Sequence, residues 1–89
     1  MKKYTVEFSN KASKQFYKLD RFTYAKITSW IIKNLEGCEN PRLHGKALVG
    51  DLSGMWRYRV GDYRLIADIM DEKILIYILE VGHRKNIYE

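Results

Sequence analysis

The chain has 89 residues, 46% of them apolar and 30% charged, with a formal net charge of +5 and a pI near 9.4. That length allows one domain with one modest core, the composition excludes a disordered or low-complexity chain, and no apolar run approaches the roughly 20 residues of a bilayer span. The basic excess points to anionic partners, either nucleic acid or an acidic protein.

The charge is uneven. Residues 1–45 carry nine Lys/Arg against four Asp/Glu, and residues 46–89 carry seven against seven. Yet four of the six arginines, at 57, 59, 64 and 84, fall in the second part. This reads as a diffuse docking surface followed by a concentrated site.

In chain order, the start Met-Lys-Lys-Tyr-Thr-Val-Glu-Phe has the charges of a signal peptide but no apolar core behind them. Tyr4, Val6 and Phe8 alternate with Lys3, Thr5 and Glu7, which predicts a short strand with one buried face. Ser9 or Asn10 can cap a helix by accepting a bond from a first-turn N–H. Ala12, Phe16 and Leu19 then recur at helical spacing, with Lys11, Lys14 and Lys18 pointing elsewhere. Asp20 can cap a second helix whose apolar stripe is Tyr24, Ile27, Ile31 and Leu35, with Trp30 beside it. Gly37 and Pro41 stop it. The two helices form a hairpin, and its aromatic residues read as core.

The lone Cys38 excludes an internal disulfide, fits a reducing cytoplasm and reads as a small loop residue. Pro41, Gly45, Gly50, Ser53 and Gly54 make residues 38–54 a loop pinned to the core by Leu43, Leu48 and Leu52, with room for a short strand or a turn of helix. His44 reads as a surface histidine with no role.

The chain is organised around Met55 to Met70. Two alternating runs flank Gly61-Asp62, a two-residue hairpin signal. Val60 then faces Tyr63, and Arg59 faces Arg64. Alternation puts Arg57, Arg59 and Arg64 on one face and Trp56, Tyr58, Val60, Tyr63 and Leu65 on the other. Like charges opposed on a hairpin repel, so the three arginines point to an absent anion. The alternative is a solvated face with carboxylates such as Asp62 or Asp68 nearby.

Lys73 to Val81 is apolar on both faces and reads as a strand covered on both sides, central in the sheet. A two-residue turn at Asp71-Glu72 would set Ile69 opposite Ile74 and Arg64 opposite Leu79. Strict alternation then brings His83 to the arginine face and puts Arg84 behind it, unless a bulge or bend at Gly82 reverses them. The order β-α-α-β-β-β predicts an α+β domain, with the helical hairpin on one face of a mostly antiparallel sheet. The place of the first strand is left open.

Trp-Arg-Tyr-Arg-Val-Gly-Asp-Tyr-Arg-Leu at 56–65, with Glu-Val-Gly-His-Arg-Lys-Asn-Ile-Tyr at 80–88, resembles the RelE/ParE superfamily of bacterial toxins. Leu48…Leu52-Ser-Gly-Met-Trp fits as well, and the resemblance covers the whole chain, 1–89, as one RelE-like toxin domain. It implies a RelE-like microbial ribonuclease fold and a cytoplasmic toxin of a type II toxin–antitoxin pair. Its partners would be a cognate antitoxin, the ribosome and mRNA, with no membrane, metal or cofactor. RelE-branch members cleave mRNA in the ribosomal decoding site, where the 2′-hydroxyl attacks the neighbouring phosphate and leaves a 2′,3′-cyclic end.

Such chemistry needs a proton taken from the 2′-OH, a pentavalent phosphorus stabilised, and the 5′-oxygen protonated. Arginine forks suit the second task. By resemblance, Arg64 fits the transition-state arginine, Arg84 the second catalytic arginine, and Tyr88 the C-terminal tyrosine that stacks on a base or moves a proton. Arg57 and Arg59 stand where ribosome-dependent members carry lysines. They join the catalytic set and, with Lys46 and Lys85, the RNA contacts. An arginine stays protonated, so neither can serve as base. Proton transfer then falls to His83, or His83 is a sheet-end histidine bonded to backbone. The rival readings are a ParE-like toxin that inhibits DNA gyrase without cutting RNA, and a nucleic-acid-binding module without chemistry.

Overall fold

The structure is a computed structural model that describes residues 2–86. The elements are β1 (Thr5–Phe8), α1 (Asn10–Tyr17), α2 (Arg21–Asn34), β2 (Lys46–Ala47), β3 (Trp56–Val60), β4 (Tyr63–Met70) and β5 (Leu75–His83). Short 3-10 turns at Gly50–Leu52 and Asp71–Lys73 lie between them. The five strands form one sheet in the order β1-β5-β4-β3-β2. Only β1, paired with β5, runs parallel to its neighbour. The α+β architecture is as the sequence predicts. The first strand takes the edge beside β5, and the middle strand is β4.

Both helices begin where a side chain satisfies a free N–H. Ser9 Oγ accepts from Ala12 N–H, and Asp20 accepts from Thr23 N–H, each at 3.0 Å. The stripes then meet the sheet. Ala12, Phe16, Ile27, Ile31 and Leu35 are buried against Tyr58, Val60, Leu65, Ala67, Ile76, Ile78 and Val81. The Tyr58 hydroxyl, fully buried, donates to the Pro41 carbonyl and ties the loop to this core.

The opposite face of the sheet is covered only locally. Leu48 and Ile66 are buried together there, with Leu52 and Met55 packed against them. Thus Leu48 and Leu52 pin the loop as expected, but Leu43 does not: it is 73% exposed. Its neighbours are held through backbone instead. Trp56 Nε1 donates to the His44 carbonyl at 2.7 Å. At Gly45 (φ +85°) a Cβ would stand 2.3 Å from the Arg57 carbonyl oxygen, so this close approach requires glycine.

The hairpin forms at Gly61-Asp62, with Val60 opposite Tyr63 and Arg59 opposite Arg64. The next connection differs from the expected one. The 3-10 turn consumes Asp71–Lys73, and Ile74 adopts a left-handed conformation at φ 51°. Hence β5 starts at Leu75 rather than Lys73, and Ile69 pairs with Ile76 rather than Ile74. A bulge follows, at Leu79 and not at Gly82. Ile66 pairs with Glu80 while Ala67 pairs with Ile78, so Leu79 is the extra residue. The outcome is Arg64 opposite Gly82 in place of Leu79.

Burial explains the bulge. Without it, Glu80 would follow Ile76 and Ile78 onto the core face, and Val81 would turn outward. With it, Val81 is buried, and Glu80 meets Lys11 Nζ at 3.1 Å. Backbone groups freed by the bulge find partners on α1 and its cap. Ser9 Oγ donates to the Leu79 carbonyl at 3.1 Å, and Gln15 Oε1 accepts from Val81 N–H at 2.7 Å.

Candidate functional site

The arginine face lies opposite the helices. Two rows of paired residues cross it. In one, Lys46, Arg57, Ile66 and Glu80 follow from β2 to β5. In the other, Arg59, Arg64 and Gly82 follow from β3 to β5. Gly82 contributes no side chain to this row. Arg59 is exposed, Arg64 half-buried, and Arg57 buried at 8% exposure.

Arg84 continues this pattern. Its N–H donates to the Asp62 carbonyl at 2.8 Å, which extends the ladder one residue past β5. Parity from Gly82 carries Arg84 to the face of Arg59 and Arg64. His83 is carried to the other face. It pairs with Tyr63, its ring meets the Tyr63 ring edge-on at 5.4 Å, and its Nδ1 accepts from Lys85 N–H at 3.2 Å. The structure therefore separates His83 from Arg64 by the thickness of the sheet and gives it the backbone-bonded setting. Lys85 is exposed in the turn after β5. Tyr88 lies outside the described residues.

At the β3 edge, where β2 is only two residues long, Trp30, His44, Gly45, Lys46, Arg57 and Arg59 line a polar groove of about 470 Å³. The His44 ring meets Trp30 edge-on at 5.8 Å. Sequence reasoning gave His44 no role, and nothing in the local pattern marks it. It reaches the groove only because Gly45 lets the loop close on β3. The sequence marks Ser9 as a helix cap, but the part that Ser9 and Gln15 play at the bulge carries no sequence signal, since polar residues at a cap or on an amphipathic helix give no sign of a bulge elsewhere. Among the described residues, no three of His, Cys, Asp and Glu converge as metal ligands, and no helix is long and apolar enough to cross a membrane.

The family model described as "ParE toxin of type II toxin-antitoxin system, parDE" matches residues 6–88. The chain belongs to the RelE/ParE family of type II toxins. As a RelE/ParE toxin it is 35% identical to Toxin RelG of Mycobacterium tuberculosis, over 96% of this chain and 95% of that one. It is 27% identical to the mRNA interferase toxin RelE of Escherichia coli, over 92% of this chain and 84% of the relative. A chain of the M. tuberculosis RelBE2 toxin–antitoxin complex superposes on the toxin with a TM-score of 0.84, at 34% identity, covering 97% of each chain. The helical hairpin and the sheet therefore make a RelE fold, and that structural relative is held in a complex with an antitoxin.

Proposed function

We propose that residues 1–89 are one toxin domain that acts in the cytoplasm as a ribosome-dependent, metal-independent endoribonuclease. It cleaves mRNA by attack of a 2′-OH on the adjacent phosphate and is restrained by a cognate antitoxin. The observation that carries this reading is the in-register Arg59–Arg64–Gly82 row, with Arg84 following on the same face. Guanidiniums set side by side on one face match the oxygens of a scissile phosphate, to which each can donate two bonds.

In this reading Arg64 and Arg84 stabilise the dianionic pentavalent phosphorus, through charge-assisted bonds that strengthen as charge develops. Arg57 and Arg59, with Lys46 and Lys85, hold flanking phosphates. Tyr88 stacks on a base or supplies the proton to the leaving 5′-oxygen. The setting of His83 behind the sheet favours a structural role for it. The interferase names borne by relatives support the nuclease reading.

A gyrase-directed toxin without nuclease activity is the second reading, favoured by the ParE description of the matching family model. Two assays decide between them: cleavage of a defined messenger on programmed ribosomes, and inhibition of gyrase supercoiling. The nuclease reading expects 5′-hydroxyl and 2′,3′-cyclic ends from the wild type, and none from Arg64→Ala. Intact messenger together with blocked supercoiling would overturn it.

A further inference from the structure

The face described above holds abundant permanent charge, but none of its arginines can accept a proton at neutral pH. The histidine of the C-terminal motif is on the far side of the sheet. The structure brings a different imidazole to the cationic groove. We propose that His44 is the titratable group of this site and takes the proton of the attacking 2′-OH; this rests on the nuclease reading.

Four observations carry it. His44 lines the same groove as Lys46, Arg57 and Arg59. Its backbone is fixed there twice: its carbonyl accepts from Trp56 Nε1 at 2.7 Å, and Gly45 sets the loop against the Arg57 carbonyl. Its ring is oriented by the edge-on Trp30 contact at 5.8 Å. The residue is nonetheless exposed, so the imidazole is open to a ligand entering the groove. The charged groups facing it are Lys46 from β2 and Arg57 and Arg59 from β3, while α2 offers the Trp30 ring. An RNA phosphate drawn to those cations arrives beside an imidazole, whose neutral form has a nitrogen that can accept a proton.

The step balances without a further reactant. A neutral imidazole nitrogen takes the 2′-OH proton as the 2′-oxygen forms its bond to phosphorus. The P–O5′ bond then breaks, and its electron pair leaves on the 5′-oxygen. That oxygen takes a proton from water or from an acid of the site, and the imidazolium returns its proton to solvent.

The test is the pH–rate profile of single-turnover cleavage on programmed ribosomes, for wild type, His44→Gln and His83→Gln. His44→Gln keeps the backbone bond to Trp56 and alters an exposed ring, and far-UV circular dichroism with tryptophan fluorescence checks that it folds. The expected result is a neutral-pH limb in the wild type and in His83→Gln. In His44→Gln the limb should be absent and cleavage about 100-fold slower or worse, the usual scale of acid–base catalysis. Wild-type rate and profile in folded His44→Gln overturn the His44 assignment and leave the nuclease reading standing. Loss of the limb in His83→Gln alone also overturns it, and returns the role to the C-terminal motif. If the wild type leaves ribosome-bound messenger intact while Arg64→Ala behaves identically, both the assignment and the nuclease reading fall.

Discussion

On the nuclease reading, Arg64 is a side chain that matters to function and little to folding. It stands half-buried on the arginine face, away from the helix-side core. Arg64→Ala should therefore unfold at nearly the wild-type denaturant midpoint, yet cleave RNA slower by about 100–1,000-fold, the usual cost of one positioned charge donor. A folded Arg64→Ala protein that cleaves at full rate would refute its role. Tyr58 is the reverse case. Burial pushes its hydroxyl well above the ordinary value of 10.0, so it remains a donor to the Pro41 carbonyl. Tyr58→Phe leaves that carbonyl without this donor and should cost about 1–3 kcal/mol in urea unfolding, the usual penalty for a buried group stripped of its partner. Its position behind the sheet predicts a much smaller effect on cleavage than that of Arg64→Ala.

At the scale of elements, β5 and α1 act as a unit. The bulge at Leu79 decides which of Gly82, His83 and Arg84 faces the arginines, and α1 supplies its partners through Ser9 and Gln15. Gln15→Ala removes the acceptor of Val81 N–H, and loss of such a bond costs about 1–3 kcal/mol. Hydrogen exchange should show the Val81 amide losing protection more than the Leu65 amide on β4. Equal protection in wild type and Gln15→Ala would mean that the bulge is held by strand packing alone. The apolar spacing of β5 carries a trace of the bulge. Ile76 and Ile78 are two apart and Val81 is three further on. Leu79 hides the trace, because an apolar residue at the extra position looks like unbroken strand.

For the molecule as a whole, a clasp joins the loop after α2, the β4–β5 turn and the start of the chain. The Arg42 guanidinium meets both carboxylate oxygens of Asp71 at 3.1 and 3.0 Å, and the Tyr4 hydroxyl donates to Asp71 at 2.6 Å. Arg42 first and Tyr4 second hold the Asp71 carboxyl below its ordinary 3.8. The same bond to Asp71 raises the Tyr4 phenol above 10.0. A depressed carboxyl contributes stability that is present above its unfolded value and disappears as pH falls through the folded one. A raised phenol contributes below its unfolded value and loses that contribution as pH rises through the folded one. Thermal unfolding across pH should therefore show an acid limb below pH 3.8 that flattens in Asp71→Asn, and an alkaline limb above pH 10.0 that flattens in Tyr4→Phe. Parallel curves for all three proteins would show that the clasp adds nothing.

The +5 charge acts at this scale too. An acidic or amphipathic antitoxin segment should bind the toxin less tightly as salt rises, because screening shortens the reach of charge to about 8 Å at physiological ionic strength. RNA binding should weaken more steeply, since each phosphate contact releases counterions, whereas apolar anchors on a protein partner do not. Titration calorimetry at two salt concentrations checks this, and an antitoxin affinity indifferent to salt would exclude the electrostatic share.

The sequence by itself determined what depends on neighbours along the chain. Periodicity marked both helices, Ser9 and Asp20 marked their caps, and Gly61-Asp62 marked the hairpin that pairs Arg59 with Arg64. Each of these is written within a few residues. Tertiary structure alone decided what depends on counting across the fold. The left-handed Ile74 lengthened the β4–β5 turn, and the bulge at Leu79 then reversed the parity of everything after it. The extra residue at Leu79 exchanged His83 for Arg84 on the arginine face, since the longer turn shifted the register by two residues and kept parity. The groove that holds His44 needed α2, the Gly45 loop and the β3 edge to meet. A side chain's face is a local property until a strand slips or bulges; beyond that point it is fixed by which register buries Val81 and leaves Glu80 outside.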